Sequence, residues 1–489
     1  MKLILDGHTY KYELESLANM FFHENKVQVV YEKQIGEEDF LYTFQSALPD
    51  GRISFTVSSK IDGKLREQTL QKAPAGKEID RFCEYHLCRM LYLQLAEATG
   101  ISLAWGMLTG VRPVRLIYRY RERGMNDAQI RSHLNEDYFV SQEKIDLLLE
   151  TANNEKPILD LSRPESFSLY LSIPFCPSRC NYCSFVSHSI ERAKKLVPEY
   201  VALLIREIAY VAPLVKSLGL RLETVYFGGG TPTAITAEQL EKILCAVETH
   251  FDLSHLREYT VEAGRPDTIT PQKMEMLKRK GVTRVSINPQ TMNDAVLERI
   301  GRRHTAAQTV EAFYLARQAG HKNINMDLIA GLTGDDLQSF CSTIDQIVDL
   351  APENITLHTL SVKRSSRIGQ HSKEFYLSEH RRVRDMLSYA GERFREKEYS
   401  PYYLYRQKNT IENMENVGYC KPRMEGYYNV YIMDETHSII ALGAGGVSKL
   451  RRPGETLLHR IFNYKYPYEY IQRFDTVLSR KDEIVKFYR

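Results

Sequence analysis

From residue 168 onward, short apolar runs alternate with longer stretches whose apolar residues recur every three or four positions. The runs Ser168–Phe175, Thr224–Phe227, Tyr259–Ala263, Arg284–Asn288, Asn323–Ala330 and Asn354–Leu360 predict six strands. The intervening stretches Glu191–Leu218, Ala237–His250, Pro271–Lys280, a helical segment ending at Ala319, Asp336–Leu350 and Glu379–Lys397 predict helices. Strands alternating with helices at this spacing imply parallel β-α units joined by right-handed crossovers. Six units are too few for an eight-fold barrel, so the expected class is α/β, an open (β/α)6 partial TIM barrel. Functional groups in such barrels come from the C-terminal ends of the strands.

The flanks read differently. Lys26–Tyr31 and Arg52–Ser58 alternate like strands, and Asp50-Gly51 and Asp62-Gly63 are hairpin turns. This predicts a small α+β unit over residues 1–75. A helical region and linker follow over 76–160, with Pro157 and Pro164 bracketing the linker. That region holds Trp105–Pro113, read as an interhelix loop; the sharper reading has it offer Arg112 or Arg115 to an anionic ligand. The barrel is assigned to 161–375. A small, tyrosine-rich C-terminal domain over 376–489, covering the barrel mouth, completes the plan. Within it Ile439–Ser448 is a strand running into a glycine turn.

Composition narrows the function. The chain has 489 residues, is 43% hydrophobic and carries a formal net charge of +3. A near-neutral balance argues against a general nucleic-acid binder. The N-terminal Met1–Leu5 run is too short for a signal-peptide core, and no apolar stretch reaches membrane-spanning length. A cytoplasmic location is therefore expected.

Of the 8 cysteines, Cys83, Cys88, Cys245, Cys341 and Cys420 are scattered and read as small buried hydrophobes. The other three, Cys176, Cys180 and Cys183, form C-x3-C-x2-C directly after the first strand. Three thiolates leave one iron of a [4Fe–4S] cubane open to a non-protein ligand, and an open iron is a place for chemistry. The rivals are a zinc site completed by His188, inert thiols, and a plain iron–sulfur electron carrier.

The second strand ends in Gly228-Gly229-Gly230-Thr231-Pro232-Thr233, where glycines let backbone approach a ligand and expose N–H donors. No Gly-Lys-Ser/Thr follows, so this is not a Walker loop. The third strand delivers Glu262, then Arg265 and Asp267. The fourth delivers Asn288 and Gln290, with Arg302, Arg303 and His304 downstream. The fifth carries Asn325 and Asp327, a charge that an apolar strand tolerates only with partners. Five successive strand ends with glycines or polar groups describe one site.

With these residues in view, the chain resembles the radical S-adenosylmethionine (SAM) superfamily. Within it, the likeness is to the oxygen-independent coproporphyrinogen III oxidase group, closest to its coproporphyrinogen dehydrogenase branch. Tyr170–Phe185, Gly228–Thr233, Thr260–Glu262, Ile287–Gln290, Leu297–Thr305 and Met326–Leu332 carry the resemblance, which spans residues 165–450. It implies that Cys176, Cys180 and Cys183 ligate a [4Fe–4S] cluster whose open iron SAM chelates. Tyr170 and Tyr182 match positions that contact SAM. Gly229, Gly230 and Thr231 match the loop holding its methionine part, and in this group a second SAM. Glu262 matches an acid that binds the first SAM; Gln290, Arg302 and Asp327 match contacts to the second. Ser361 and Val447 fall where backbone contacts to the cofactors are made.

The implied reaction is oxidative decarboxylation. A 5′-deoxyadenosyl radical takes hydrogen from a propionate of coproporphyrinogen III, and loss of carbon dioxide and an electron leaves a vinyl group, giving protoporphyrinogen IX. Implied partners are the tetrapyrrole and a low-potential electron donor such as a flavodoxin or ferredoxin. Lys363, Arg364 and Arg367 are rim candidates for the substrate carboxylates. Alternatives are another radical SAM reaction on a tetrapyrrole, by methyl transfer or ring opening, and a non-catalytic haem chaperone. Two residues depart from the oxidases: Ser172 stands where they carry His, and Phe185 where they carry a fourth cysteine, as the related chaperones also have Phe. The chaperones' His-Asn…Tyr-Trp motif is replaced by Tyr428–Met433.

Overall fold

The structure, a computed structural model, describes residues 1–22, 27–31, 38–74, 78–185, 187–361, 382–407, 410–452, 454–455 and 457–489. It forms two compact units: Met1–Leu149, and the described residues from Glu150 onward apart from Glu412–Met414, which belongs to the first. In the first unit, β1 (Lys2–Asp6), β2 (Gln28–Val30), β3 (Phe40–Ala47), β4 (Ile53–Ile61) and β5 (Lys64–Lys72) form one sheet in the order β2-β1-β3-β4-β5. Both Asp-Gly turns join antiparallel neighbours, and Asp62 and Gly63 take φ of 51° and 72°, as a primed hairpin turn demands. Helices Lys11–Phe21 and Ile79–Thr99 contribute Leu14, Leu17, Leu87 and Leu91 to a core with Phe55 and Val57. The predicted α+β and helical regions thus share one core and one unit, because the sheet alone would leave that face wet. Trp105 is 2% exposed, and a side chain at Gly106 would strike the Tyr138 carbonyl, so Trp105–Pro113 is a packed turn of this unit.

The unit boundary falls inside the helix Gln142–Leu159, and Pro157 sits in that helix's last turns rather than in a linker. Each of the six apolar runs is a strand: β6 (Ser166–Ile173), then, past the short pair β7 (Phe175–Cys176) and β8 (His188–Ser189), β9 (Arg221–Gly229), β10 (Glu258–Glu262), β11 (Arg284–Ser286), β12 (Ile324–Ala330) and β13 (Asn354–Thr359). They pair in parallel in sequence order, with helices such as Val197–Ser217 and Ala237–His250 as crossovers. The helix Ala237–His250 starts at a capping box, Thr236 and Gln239, which fixes where the strand-end loop stops.

An open barrel leaves two strand edges with unpaired backbone groups. The C-terminal residues cover both rather than forming the separate domain expected for 376–489. On one side β14 (Ser400–Arg406) and β15 (Glu415–Cys420) pair antiparallel, with β15 lying against β13. On the other side β16 (Ser438–Leu442) runs parallel to β6, from Ser438↔Phe167 to Leu442↔Leu171, as a seventh parallel strand. Beyond it lie β17 (Val447–Leu450) and β18 (His459–Phe462), giving an 11-stranded sheet.

The turn after β16 is pinned by Glu207, whose buried carboxylate accepts from the Gly443 amide (2.8 Å), the Tyr470 hydroxyl (2.7 Å) and the Asn463 amide (2.8 Å). Lys481, also fully buried, pairs with it at 3.2 Å. Ser172 serves the same turn, donating to the Ala444 carbonyl at 2.7 Å. Among the described residues no helix is long and apolar enough to cross a membrane.

Candidate active site

The C-terminal ends of the parallel strands open into a cavity of about 570 Å³. Tyr170, Tyr182, Gly229, Gly230, Thr231, Glu262, Gln290, Arg302, Asp327, Ser361 and Val447 all line it, together with Cys176, Cys180 and Cys183. Lys363, Arg364 and Arg367 lie outside the described residues.

The cysteine loop is fixed by backbone contacts. Gly230 N–H donates to the Ile173 carbonyl (2.8 Å) and Thr231 N–H to the Phe175 carbonyl (2.7 Å). These two amides are therefore spent on the cysteine loop, not offered to a ligand as the glycine run suggested. A Cβ at Gly230 would sit 2.6 Å from the Phe175 carbonyl oxygen, so glycine is required for the close approach of the two loops. From the other side Ser178 Oγ donates to the Gly301 carbonyl (2.9 Å), and the Asn181 side chain to the Arg299 carbonyl (2.8 Å).

The thiols face cations. Arg265 Nη1 lies 3.7 Å from Cys180 Sγ, and Thr231 Oγ1 donates to Cys176 Sγ at 3.5 Å. Burial pushes Cys183 up to about 11, with Cys180 and Cys176 adding to the rise and the Phe185 amide and Arg302 opposing it. Burial also raises Cys176. Such thiols ionise when a metal takes the proton's place. Among the described residues no three His, Cys, Asp or Glu side chains are grouped to hold a single metal ion. His188 packs edge-on against Tyr466 and Tyr468. Three thiols lining one cavity beside two guanidiniums suit an anionic thiolate cluster.

Deeper in, Glu262 accepts from the Tyr226 hydroxyl at 2.6 Å. Burial lifts Glu262 to about 7; the Tyr226 hydrogen bond pulls it down, Asp327 pushes it up and Arg284 lowers it. Tyr226 stacks on Tyr428 (4.3 Å) and Tyr170 (6.1 Å). Asp327 finds the partner its strand position requires: Asn325 donates to it at 2.7 Å. Gln290 holds φ of +73°, strain in a non-glycine residue of the kind that marks functional sites. Arg302 Nη1 binds the Gly264 and Asn288 carbonyls, and its Nη2 the Tyr182 hydroxyl at 3.1 Å. Tyr226, Tyr428 and Arg284 were not picked out from the sequence as site residues. All three line the cavity, with Tyr226 inside β9 and Arg284 at the first residue of β11, away from the C-terminal strand ends.

The radical SAM superfamily model matches residues 170–347. An oxygen-independent coproporphyrinogen-III oxidase-like protein, HemZ of Bacillus subtilis, is 36% identical over 480 residues, covering 96% of this chain and 94% of the relative. The chain belongs to the radical SAM superfamily, and within it to the oxygen-independent coproporphyrinogen-III oxidase-like group that includes HemZ. A haem chaperone, HemW of Lactococcus lactis, is 34% identical over 201 residues, 41% of this chain and 50% of the relative. Among solved structures, the coproporphyrinogen III oxidase HemN of Escherichia coli shares the fold with a TM-score of 0.52 at 20% identity, covering 66% of this chain and 72% of that one. The cofactors of the chain are accordingly a [4Fe–4S] cluster and SAM.

Proposed function

We propose that the chain catalyses oxygen-independent oxidative decarboxylation of coproporphyrinogen III propionates to vinyl groups, yielding protoporphyrinogen IX. The observation that carries this reading is the likeness to an oxidase-like relative over nearly the whole chain, supported by a cavity that the assigned residues line. Cys176, Cys180 and Cys183 are assigned to the cluster, and Tyr170, Tyr182, the Gly229–Thr231 loop and Glu262 to SAM. Gln290, Arg302, Asp327, Ser361 and Val447 are assigned to a second SAM. When bound, the cluster and SAM supply the one-electron cleavage that yields a hydrogen-abstracting radical.

The chain's own contribution is to hold and to shield. Arg265 and Arg302 offset negative charge at the thiolates. Glu262 would accept from the SAM amino group, with its orientation set by Tyr226. The tyrosine stack and the strand-end loops keep water from the reacting carbon. The reaction requires a low-potential one-electron donor of the flavodoxin or ferredoxin kind.

The haem chaperone is the second reading, favoured by Phe185, which is 66% exposed at the cavity edge. Against it, Tyr428 and Met433 line the cavity where the chaperone motif carries His and Trp. The test is anaerobic reconstitution of the full chain with SAM, a reductant and coproporphyrinogen III. The expected result is protoporphyrinogen by way of a monovinyl intermediate. SAM cleavage with no tetrapyrrole consumed would overturn the reading, and stoichiometric haem binding without SAM cleavage would establish the chaperone.

A further inference from the structure

Arg284 opens β11, and strand register places it in line with Thr260, Tyr226 and Tyr170 across the barrel. It lines the cavity yet is 1% exposed. Its Nε and Nη2 have no hydrogen-bond partner. These two nitrogens make up one edge of the guanidinium, the fork that grips a carboxylate through two parallel hydrogen bonds. A buried guanidinium whose fork is empty is costly, so it calls for an anion.

The neighbouring acids are committed elsewhere. Glu258 is within electrostatic reach, but its oxygens accept from the Thr260 hydroxyl (2.9 Å) and the Tyr427 amide (2.6 Å). Glu262 is held by Tyr226. The other two arginines of the cavity are also engaged: Arg265 with Asp267 and Ser178, and Arg302 with the Gly264 and Asn288 carbonyls. Beside Arg284 the Tyr402 hydroxyl and the Asn429 amide share only a 3.5 Å hydrogen bond. Both surround Gly426, where a Cβ would lie 3.5 Å from the Arg284 Cζ and 3.0 Å from the Tyr402 hydroxyl. An arginine and an amide side by side on the cavity lining are the parts of a carboxylate seat.

We propose that Arg284, with Asn429, anchors one propionate carboxylate of the tetrapyrrole inside the barrel. This rests on the proposed reaction and deepens it: the anchored propionate is one that is not reacting, so Arg284 determines specificity and orients the ring.

The test uses the full-length, cluster-reconstituted chain and its Arg284→Gln and Arg284→Lys variants. Two quantities are read, the KM for coproporphyrinogen III and the equilibrium affinity for coproporphyrin III as a non-turnover probe. R284Q should weaken both roughly tenfold to a hundredfold, the range for a lost charge-assisted pair. Cluster absorbance should stay at the wild-type level, as should SAM affinity near pH 9, where Glu262 is ionised with or without Arg284 beside it, and R284K should recover part of the loss. Wild-type affinity for the probe in R284Q overturns the anchor, as does an equal loss of SAM affinity at pH 9. Should R284Q fail to fold, wild-type protein decides with coproporphyrin III and a tricarboxylate porphyrin that lacks a non-reacting propionate: equal affinity for both overturns the proposal. A wild-type chain that binds the probe but makes no vinyl product counts against the reaction alone. One that makes the product while R284Q keeps its KM counts against the anchor alone.

Discussion

Replacing Tyr226 by Phe removes one hydroxyl and nothing else from the cavity wall. That hydroxyl donates to Glu262 at 2.6 Å and pulls the acid down from where burial would put it. A hydrogen bond to a charged acceptor contributes about 1.5–3 kcal/mol. At about 1.4 kcal/mol per tenfold in proton affinity, its loss alone would raise the midpoint by about one to two pH units. Glu262 is only partly buried on the cavity lining, so the lower end applies, and the midpoint rises by about one pH unit.

The sign follows from the assigned role. A protonated Glu262 neither accepts from the SAM amino group nor offsets the positive charge of the sulfonium, so SAM affinity falls as pH drops through the midpoint. Tyr226→Phe should therefore bind SAM markedly more weakly than wild type near pH 7.5 and equally well near pH 9. Calorimetric titration of SAM into the anaerobic, reconstituted chain between pH 6 and 9 measures this. Superimposed affinity–pH curves for the two proteins would refute the reasoning, because Tyr226 would then not govern the charge on Glu262.

Three further substitutions probe the frame around the site. Gly230→Ala drives a Cβ to 2.6 Å from the Phe175 carbonyl and 2.8 Å from that of Ile173, so the cysteine loop must shift. A loss of about 1–3 kcal/mol and poor cluster retention are expected, read by thermal melting and visible absorbance. Lys481→Met strands the Glu207 carboxylate in a dry interior, and melting should report a loss of about 3–5 kcal/mol, partly restored when Glu207→Gln is added. Ser172→His, which installs the oxidase residue, should destabilise by about 1–3 kcal/mol rather than restore an oxidase-like site. Ser172 is buried between the Ala444 carbonyl and Gly229, and a melt unchanged from wild type would contradict this packing.

The barrel and most of its site were legible because their signals are local. Each apolar run is bounded by turn residues, and most of the assigned positions lie at or just past a strand end, where polarity stands out, while Asp327 stands out as a charge inside an apolar strand. Tyr226 and Arg284 escaped notice because one lies within its strand and the other at a strand's first residue, away from the C-terminal ends. There the sequence does not mark which of two alternating faces points inward, and a polar interior looks like an interrupted apolar run. The glycine loop was read as an array of free donors because sequence shows that a backbone can come close, not what it comes close to. The C-terminal strands were mistaken for a separate domain for a related reason. Ser438–Leu442 looks like any short strand, and only pairing with distant Phe167–Leu171 makes it part of the barrel.

That pairing also shapes how the protein is made. On the ribosome, the first barrel strand emerges long before the strand that flanks it. At about 5–20 residues per second, roughly 15–50 s pass between synthesis of Phe167 and of Ser438. Through that interval one side of the nascent sheet is an open edge, able to recruit other chains. The cysteines follow that strand directly, so the metal-binding loop is translated early but gains its lasting support late. Assembly of the iron–sulfur centre should therefore be post-translational. A chain truncated before Ser438 should aggregate rather than accumulate as a loaded barrel.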